Sequence, residues 1–344
     1  MTDFLPTRSS MNLTHYTVDI VSPQYPCGSS WLANALLEMQ VPLGHLWSFE
    51  TAGEWEHGSN GDSRYVARHL PWGQTLPSLR LGRTFQFRRD VRPRFTHLFP
   101  WQLEPCRKIV LMVRDPRDAL YSIWQWQQHN EQYPPSIPFV EYLASPFFGG
   151  PISIVDMLWL HLRSWLSLRG DESRQVYLLR FEDWKRDPVG ELAAVTRWMG
   201  LDCEQSMLDR AVAASDVRNL HQIEREVART TPGARRFHRL GQPEEWRVSW
   251  QADWTEALGR HWQTVYRALG YAPPSRFGSA ATAFDLNEVL AWRDLTEPTL
   301  AQQWRHRLST DTSSQSDNAV PSVASAHARH DGLGASQLTE RKPI

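Results

Sequence analysis

The hydrophobic and polar positions of the chain alternate between short apolar runs and helical repeats. Val18–Val21 and Lys108–Val113 are apolar runs of strand length, and Gln175–Leu179 is a third. A continuous apolar run is typical of a parallel strand that is buried on both faces. Because helical patterns separate these runs, the sequence predicts an α/β fold with a parallel sheet.

Helix-capping residues follow the apolar runs. Apolar positions recur at helical spacing from Trp31 onward. A second helix starts at Asp115 and Pro116 and runs to about Gln128. A third helix starts at Asp187 and stops at Gly200. A short strand is predicted at Phe95–Phe99. Further helices are predicted over Ile152–Leu168, Glu204–Ala214, Asp216–Arg229, Asp253–Leu269, Leu286–Trp292 and Leu300–Leu308.

Several stretches show neither the helical nor the strand pattern of apolar residues. His45–Thr84 is rich in Gly and Trp and is predicted to be irregular, as functional segments often are, and Thr230–Trp250 is predicted to be a loop. Residues 1–16 are predicted to be a flexible leader. Residues 309–344 carry Ser, Asp, Ala, His and Gly without aromatic residues, a composition typical of a disordered tail.

The composition of the 344 residues excludes several classes of function. The formal net charge is −1, so no global field recruits nucleic acid or an anionic membrane, and any anion site must be local. No apolar run approaches the length of a membrane span, and the N-terminus does not resemble a signal peptide. The three cysteines lie far apart without a C-x-x-C pair, which argues against a disulfide framework and a zinc site. We therefore expect a cytoplasmic protein without a metal.

Two stretches carry candidate chemistry. After the first strand, a small-residue loop with Gly28, Ser29 and Ser30 leads into a helix, and free amides at a helix start can bind an anion. The Walker pattern is absent, so an ordinary βα turn stays an open alternative. Arg114 follows the Lys108–Val113 strand and can bind a phosphate with two hydrogen bonds, with Ser122 two turns later. A surface Arg–Asp pair is the alternative there.

The order of four segments resembles the cytosolic-type sulfotransferase family, which uses 3′-phosphoadenosine-5′-phosphosulfate (PAPS). Tyr25–Trp31 (YPCGSSW) is similar to the family's loop Y-P-K-S-G-T-T-W, and Thr96–Pro100 (THLFP) to K-T-H-L-P. Arg114–Ser122 is similar to R-N-P-K-D-x-x-x-S, and Phe237–Gly241 (FHRLG), followed by Trp246, to F-M-R-K-G-x-x-G-D-W. The shorter Phe181-Glu-Asp183 and Leu269-Gly-Tyr271 also resemble family motifs, Y-E-D and L-G-Y.

The resemblance implies a three-layer sandwich with a central parallel sheet of the P-loop NTPase-like type, over residues 17–272. A helical C-terminal extension would follow over 273–308. The resemblance implies PAPS as co-substrate, without a metal. It also implies a small acceptor with a hydroxyl group, and the 17 tryptophans favour an aromatic or apolar one. A homodimer is compatible with the resemblance.

The resemblance also implies a role for each matching residue. His97 would be the general base that takes the proton of the acceptor hydroxyl, although a packed imidazole is the alternative for any one of the 13 histidines. For Arg239 the alternative is a solvated charge in a basic loop. The remaining implied donor-binding residues are Cys27, Gly28, Ser29, Ser30, Trp31, Arg114, Ser122, Phe181, Ser215, Val217 and Gly241.

The sequence departs from the family pattern at basic positions. Pro26 stands where the family places Lys or Arg two residues before the loop glycine. With a one-residue gap, Pro26 would instead match the family proline, and the basic residue would be missing. Phe95 and Leu240 replace two further lysines. One of the arginines between 88 and 94 could supply the missing charge, or the protein could bind PAPS without catalysis. A phosphotransferase is disfavoured because the Walker lysine and a clear Mg²⁺-binding motif are missing.

Overall fold

The computed structural model describes residues 16–41, 44–47, 50–57, 63–66, 91–103, 105–129, 137–147, 150–230, 241–250, 252–279 and 284–291. Its strands are β1 (Val18–Val21), β2 (Gly44–Trp47), β3 (Glu50–His57), β4 (Ser63–Val66), β5 (Pro93–Thr96), β6 (Lys108–Val113) and β7 (Gln175–Arg180). Its α-helices are α1 (Ser29–Glu38), α2 (Pro116–His129), α3 (Phe139–Ala144), α4 (Ile154–Leu166), α5 (Phe181–Arg186), α6 (Pro188–Met199), α7 (Gln205–Ala214), α8 (Val217–Thr230), α9 (Trp246–Ser249), α10 (Trp262–Leu269) and α11 (Leu286–Ala291).

The strands form one sheet in the order β4-β3-β2-β5-β1-β6-β7. β2, β5, β1, β6 and β7 are parallel, and β3 and β4 extend one edge in antiparallel pairing. Val21, the last residue of β1, pairs with Thr96 of β5 and Leu111 of β6. The carboxyl ends of the parallel strands therefore meet at one edge of the sheet, where ligands bind in such folds.

Helices cover both faces of the sheet. On β6, Ile109 and Leu111 belong to a core with α2, α3, α4 and α10, whereas Val110 and Met112 belong to a core with α1, α6 and α7. Successive residues of β6 therefore pack into opposite cores. Because both faces of the strand are buried, β6 is apolar throughout. The predicted three-layer α/β sandwich with a central parallel sheet is confirmed.

Most predicted elements are present with small shifts in their ends. The helix predicted after Asp187 is α6, in which the Asp187 carboxylate accepts a hydrogen bond from the Gly190 amide and Gly200 adopts φ 101° at the C-terminus. The strand predicted at Phe95–Phe99 lies slightly earlier, at β5. The predicted helix over Leu300–Leu308, the leader (apart from Tyr16) and the tail lie outside the described residues.

Three predictions about the backbone were wrong. The stretch predicted to be a loop over Thr230–Trp250 contains the short helix α9. The stretch His45–Thr84 was predicted to be irregular, yet β2, β3 and β4 lie in its first part. The single helix predicted over Asp253–Leu269 is a 3₁₀ helix, Ala252–Ala257, followed by α10. Between these two helices, Gly259 forms a β-bridge with Gly278. A Cβ on Gly278 would lie 1.9 Å from the Glu256 carbonyl oxygen. This close backbone approach interrupts the helix.

Candidate functional site

The loop between β1 and α1 ends in an uncapped helix start. Gly28 is the N-cap residue of α1 at φ 83°, in the left-handed region, and no side chain caps the first amides of the helix. Its carbonyl accepts hydrogen bonds from the amides of Trp31 and Leu32, at 3.0 and 3.3 Å. The amides that precede Trp31 therefore lie at the positive end of α1, as an anion site requires. Ser29 is buried and Ser30 is half-buried.

Cys27, the residue before Gly28, is buried in the same loop. Burial raises the pKa of its thiol to about 12, and the nearby Arg114 guanidinium only partly opposes that shift. At neutral pH the side chain is therefore a neutral thiol that packs against its neighbours. A nucleophilic role would require a thiolate.

Arg114 joins three segments at the edge of the sheet. Its Nη1 lies 3.4 Å from the Pro26 carbonyl oxygen, and its Nη2 donates to the Gln242 carbonyl oxygen at 2.6 Å. Asp118, one turn into α2, lies 3.5 Å from the same guanidinium. The buried Nε of Arg114 has no hydrogen-bond acceptor among the described residues. A buried guanidinium that retains a donor is suited to an incoming anion.

Aromatic side chains and a lysine complete this end of the site. The Arg114 guanidinium lies 4.5 Å from the ring centroid of Phe181, which is 6.2 Å from that of Trp31. On Trp31, the Nζ of Lys185 lies 4.1 Å from the ring centroid. The sequence predicted Trp31, Arg114 and Phe181 but missed Lys185. The spacing of Lys185 four residues after Phe181, on one face of α5, could have indicated it.

The Gly241 segment approaches the same end of the molecule. Gly241 has φ 60°, and a Cβ on it would lie 3.6 Å from Cγ2 of Val217. Ser215, two residues before Val217, accepts a hydrogen bond from Asn34 of α1 at 3.1 Å. The structure therefore brings Ser215, Val217 and Gly241 near α1. The predicted Arg239 lies outside the described residues.

Ser122 is buried on α2, two turns after Arg114. Within the described part of the chain, no hydrogen bond joins it to the loop or to Gly241. Its predicted role as a phosphate contact therefore stays a prediction.

Two carboxylates hold the segments of the site together. Asp118 accepts hydrogen bonds from the amides of Glu244 and Trp246 at 2.6 and 2.9 Å. Glu182 of α5 accepts from the Asp115 amide at 3.0 Å and from the Tyr271 hydroxyl. The motifs Phe181-Glu-Asp183 and Leu269-Gly-Tyr271 are thus joined directly, by a hydrogen bond between their members.

His97 follows β5 and faces the loop. Its Nδ1 lies 2.6 Å from the carbonyl oxygen of Ser22, which can only accept, so the proton is on Nδ1 and the lone pair on Nε2. Burial lowers the pKa of His97 to about 4, although the carbonyl groups of Ser22 and Pro23 oppose the shift. The imidazole is therefore neutral at neutral pH, which a general base requires.

A second imidazole lies close to His97, and the sequence analysis missed it. His161 of α4 is buried, and neither ring nitrogen has a hydrogen-bond partner among the described residues. Burial, followed by repulsion from a protonated His97 ring, lowers the pKa of His161 to about 3, although the nearby backbone of His97 and Leu98 opposes the shift. A lone histidine in the apolar repeat of α4 was the signal that could have indicated it.

The structure describes two of the four arginines before His97, and neither of these two takes the place of the missing loop lysine. Arg94 is buried and its Nη2 lies 2.6 Å from Oδ1 of Asp19. Arg92 is exposed. The expectation that Arg94 could turn toward a sulfate is therefore wrong, because it would leave the Asp19 carboxylate buried without its partner. Arg88 and Arg89 lie outside the described residues.

Aromatic side chains from α2, α3 and the segment around α9 meet in one cluster. We define this aromatic cluster by Tyr121, Trp124, Phe139, Trp250 and Trp254. The ring centroid of Phe139 lies 5.2 Å from that of Trp124, 5.5 Å from that of Trp250 and 4.4 Å from that of Trp254. Tyr121, Trp124 and Trp250 are half-buried, so the cluster keeps an accessible side.

The described residues contain no cluster of His, Cys, Asp or Glu side chains that could hold a metal ion. They also contain no helix with the length and apolar character that crossing a membrane would need.

Comparison with known proteins gives one consistent family. Residues 28–270 match the family model described as "Sulfotransferase domain". The chain is 29% identical to rabbit (Oryctolagus cuniculus) sulfotransferase 1C2 over 140 residues, 40% of this chain and 43% of the rabbit protein. It is 27% identical to rat (Rattus norvegicus) sulfotransferase 2A6 over 196 residues, 53% of this chain and 63% of the rat protein. The chain thus spans about half the length of the curated relatives that it matches.

Solved structures give a weaker likeness. The mouse sulfotransferase SULT7A1 complexed with PAP is 18% identical, with a TM-score of 0.46, and the match covers 75% of this chain and 86% of the mouse chain. The residues matched by the family model lie inside the domain that the sequence predicts over 17–272.

Proposed function

Because the chain belongs to the sulfotransferase domain family, we propose that it transfers the sulfuryl group of PAPS to a hydroxyl group of a small acceptor. PAPS supplies a sulfuryl group on a phosphate leaving group. The protein must hold that phosphate, bring the acceptor oxygen in line with the sulfur, and take up the hydroxyl proton.

The observation that carries the proposal is the convergence of Gly28, His97 and Arg114 at the carboxyl ends of β1, β5 and β6. The uncapped start of α1 and the Nε of Arg114, which has no acceptor among the described residues, suit a phosphate and its sulfate. Gly28 has no side chain that could stand between the start of α1 and the ring of Phe181. These features suit the anionic groups of PAPS.

His97 is the proposed general base. Its Nδ1–H donates to Ser22, so the ring is held in the tautomer whose Nε2 can accept the acceptor proton. The carbonyl groups of Ser22 and Pro23 favour the charged imidazole, and they would stabilise it once the proton has arrived. General bases of this kind contribute about 10²–10⁴ in rate.

We further propose that the acceptor is aromatic or apolar around its hydroxyl. The aromatic cluster supports this, since it gathers half-buried rings from α2, α3 and the segment around α9. Flat apolar molecules bind well to such surfaces.

A nucleotide-binding protein without catalysis is the second candidate. The observation that favours it is Pro26, which leaves the loop Ser22–Ser30 without a basic side chain. Losing one electrostatic contact to the transition state costs about 10²–10³ in rate. Catalysis could therefore continue at a reduced rate.

One experiment separates the two candidates. Calorimetry with adenosine 3′,5′-bisphosphate should show saturable binding that Arg114→Ala weakens about 100-fold, since a buried charged contact is lost. Arg169→Ala is the control, because that exposed arginine donates only to the Ala268 carbonyl oxygen in the described structure. Labelled PAPS is then incubated with a panel of phenols and aliphatic alcohols. Labelled product supports the sulfotransferase, and binding without product supports the second candidate. Absence of nucleotide binding by the wild-type protein contradicts both.

A further inference from the structure

Two cations lie on one pair of aromatic rings. The guanidinium carbon of Arg114 is 4.5 Å from the ring centroid of Phe181, and the Nζ of Lys185 is 4.1 Å from that of Trp31. The two ring centroids are 6.2 Å apart. Both distances from cation to ring are within the range of cation–π contacts. Phe181 and Lys185 also share the single turn of α5, which places the second cation beside the first.

The Lys185 ammonium is poorly neutralised, whereas the Arg114 guanidinium has the Asp118 carboxylate at 3.5 Å. Burial lowers the pKa of Lys185, and the positive charge of Arg114 lowers it further. Asp216 opposes the shift, but its carboxylate is paired with Arg218 at 2.9 Å. No acceptor within the described ranges is hydrogen-bonded to the Lys185 ammonium. An anion that approached both cations would relieve their repulsion.

We propose that Lys185 is a further donor-binding residue, whose ammonium binds a phosphate of the nucleotide together with Arg114. The inference rests on the proposed function. It assigns a basic side chain from α5 to a site whose loop has Pro26 in place of a lysine.

The position of Lys185 also predicts how the nucleotide enters. Trp31 is 9% exposed, and the ammonium covers one face of its ring. A purine cannot stack on that face while the ammonium is there. Binding therefore exchanges a cation–π contact for a contact between the ammonium and a phosphate. The flexible lysine stem permits this movement without a change in the backbone.

The test is calorimetry of Lys185→Gln, Lys185→Arg and Arg186→Gln with adenosine 3′,5′-bisphosphate and with adenosine. Arg186 is the control, because it is the next residue of α5 and its side chain is 75% exposed. We expect Lys185→Gln to weaken bisphosphate binding about tenfold, and the other two variants to stay within about threefold of the wild-type protein. Adenosine, which has no phosphate, should bind Lys185→Gln at least as well as it binds the wild-type protein.

Salt gives an independent readout. Between about 50 and about 300 mM salt, the bisphosphate affinity of the wild-type protein should fall more steeply than that of Lys185→Gln, because one charge contact is missing in the variant. Equal bisphosphate affinity or tighter binding in Lys185→Gln would overturn the assignment, as would equal losses for adenosine and the bisphosphate.

The two levels of inference fail in different ways. If the wild-type protein does not bind the bisphosphate, the proposed function fails, whatever Lys185 does. If the wild-type protein binds and Lys185→Gln binds equally well, only the role of Lys185 fails. Circular dichroism and the melting temperature verify that each variant is folded.

Discussion

A Cβ atom on Gly28 would lie 2.8 Å from Cδ2 of Phe181. Real Cβ atoms do not approach a carbon so closely, and Gly28 also has φ 83°, which other residues adopt at a cost. The contact exists because the loop after β1 and the start of α5 both begin at the same edge of the sheet. The glycine thus lets the ring of Phe181 close one side of the site while Arg114 covers that ring.

Gly28→Ala should destabilise the protein and weaken nucleotide binding. The left-handed backbone alone costs about 1–2 kcal/mol for a residue with a Cβ, and the contact with Phe181 adds to it. Thermal unfolding and calorimetry with adenosine 3′,5′-bisphosphate measure the two effects. Gly170→Ala is the matched control, because a Cβ at Gly170 has no neighbour within 4 Å. Equal melting temperatures of the two variants would contradict this account.

His97→Ala should remove turnover and leave nucleotide binding intact. The loss should reach about 10²–10⁴ in kcat, since a general base is deleted, while the bisphosphate affinity changes by less than about twofold. His97→Asn is the control: its amide can still donate to the Ser22 carbonyl oxygen but cannot take a proton. Turnover in either variant comparable to wild type would exclude His97 as the base.

The pH dependence tests the same residue in the wild-type protein. A base is active when deprotonated, so kcat/KM should fall as the pH decreases through the pKa of His97, which burial lowers to about 4. We therefore expect a flat profile between pH 8 and about pH 5. A decline centred near the ordinary histidine value of about 6.5 would show that the imidazole is not buried as described.

His161→Met should stabilise the protein. The imidazole is buried with both nitrogens unpartnered among the described residues, and such a polar group costs about 1–3 kcal/mol. The imidazole is neutral when folded and charged when unfolded below about pH 6.5, so wild-type stability falls as the pH decreases from there toward about 3. His161→Met should lessen that fall, as chemical denaturation at several pH values would show. His161→Gln, which stays polar, should not gain stability.

Tyr271→Phe should couple energetically to Glu182→Gln. The hydroxyl of Tyr271 donates to the carboxylate of Glu182, which also accepts from the Asp115 amide. Each single variant should lower the free energy of unfolding by about 1–3 kcal/mol, and the double variant by less than the sum. Additive losses would mean that the hydrogen bond does not hold these two motifs together.

The apolar patterns were sufficient to predict the centre of the fold. β6 was predictable because the residues on both of its faces are apolar. α6 was predictable because Asp187 and Gly200 mark its ends. β3 was not predictable, since its residues include Glu, Gly and His, which do not alternate as a half-buried strand does. α5 was missed because six residues are too few to display a helical period.

The candidate site was predictable where a residue follows a strand or begins a helix. Gly28, His97, Arg114 and Phe181 all do so, and the structure places them at one edge of the sheet. Lys185 contacts Trp31 and His161 lies near His97, although these residues come from different elements, and no local pattern specifies such neighbours. The same holds for Arg94, whose pairing with Asp19 depends on the neighbouring positions of β5 and β1.

The contacts of Arg114 bear on the order in which the protein matures on the ribosome. The guanidinium meets carbonyl groups at residues 26 and 242, and β1 lies between two strands that are synthesised much later. The loop between β1 and α1 must therefore wait for most of the chain before its surroundings are complete. A nascent chain that stalls before Gln242 has the loop, the histidine and the arginine but lacks the carbonyl group that holds Arg114 from the far side. The surroundings of Arg114 are thus completed late in synthesis.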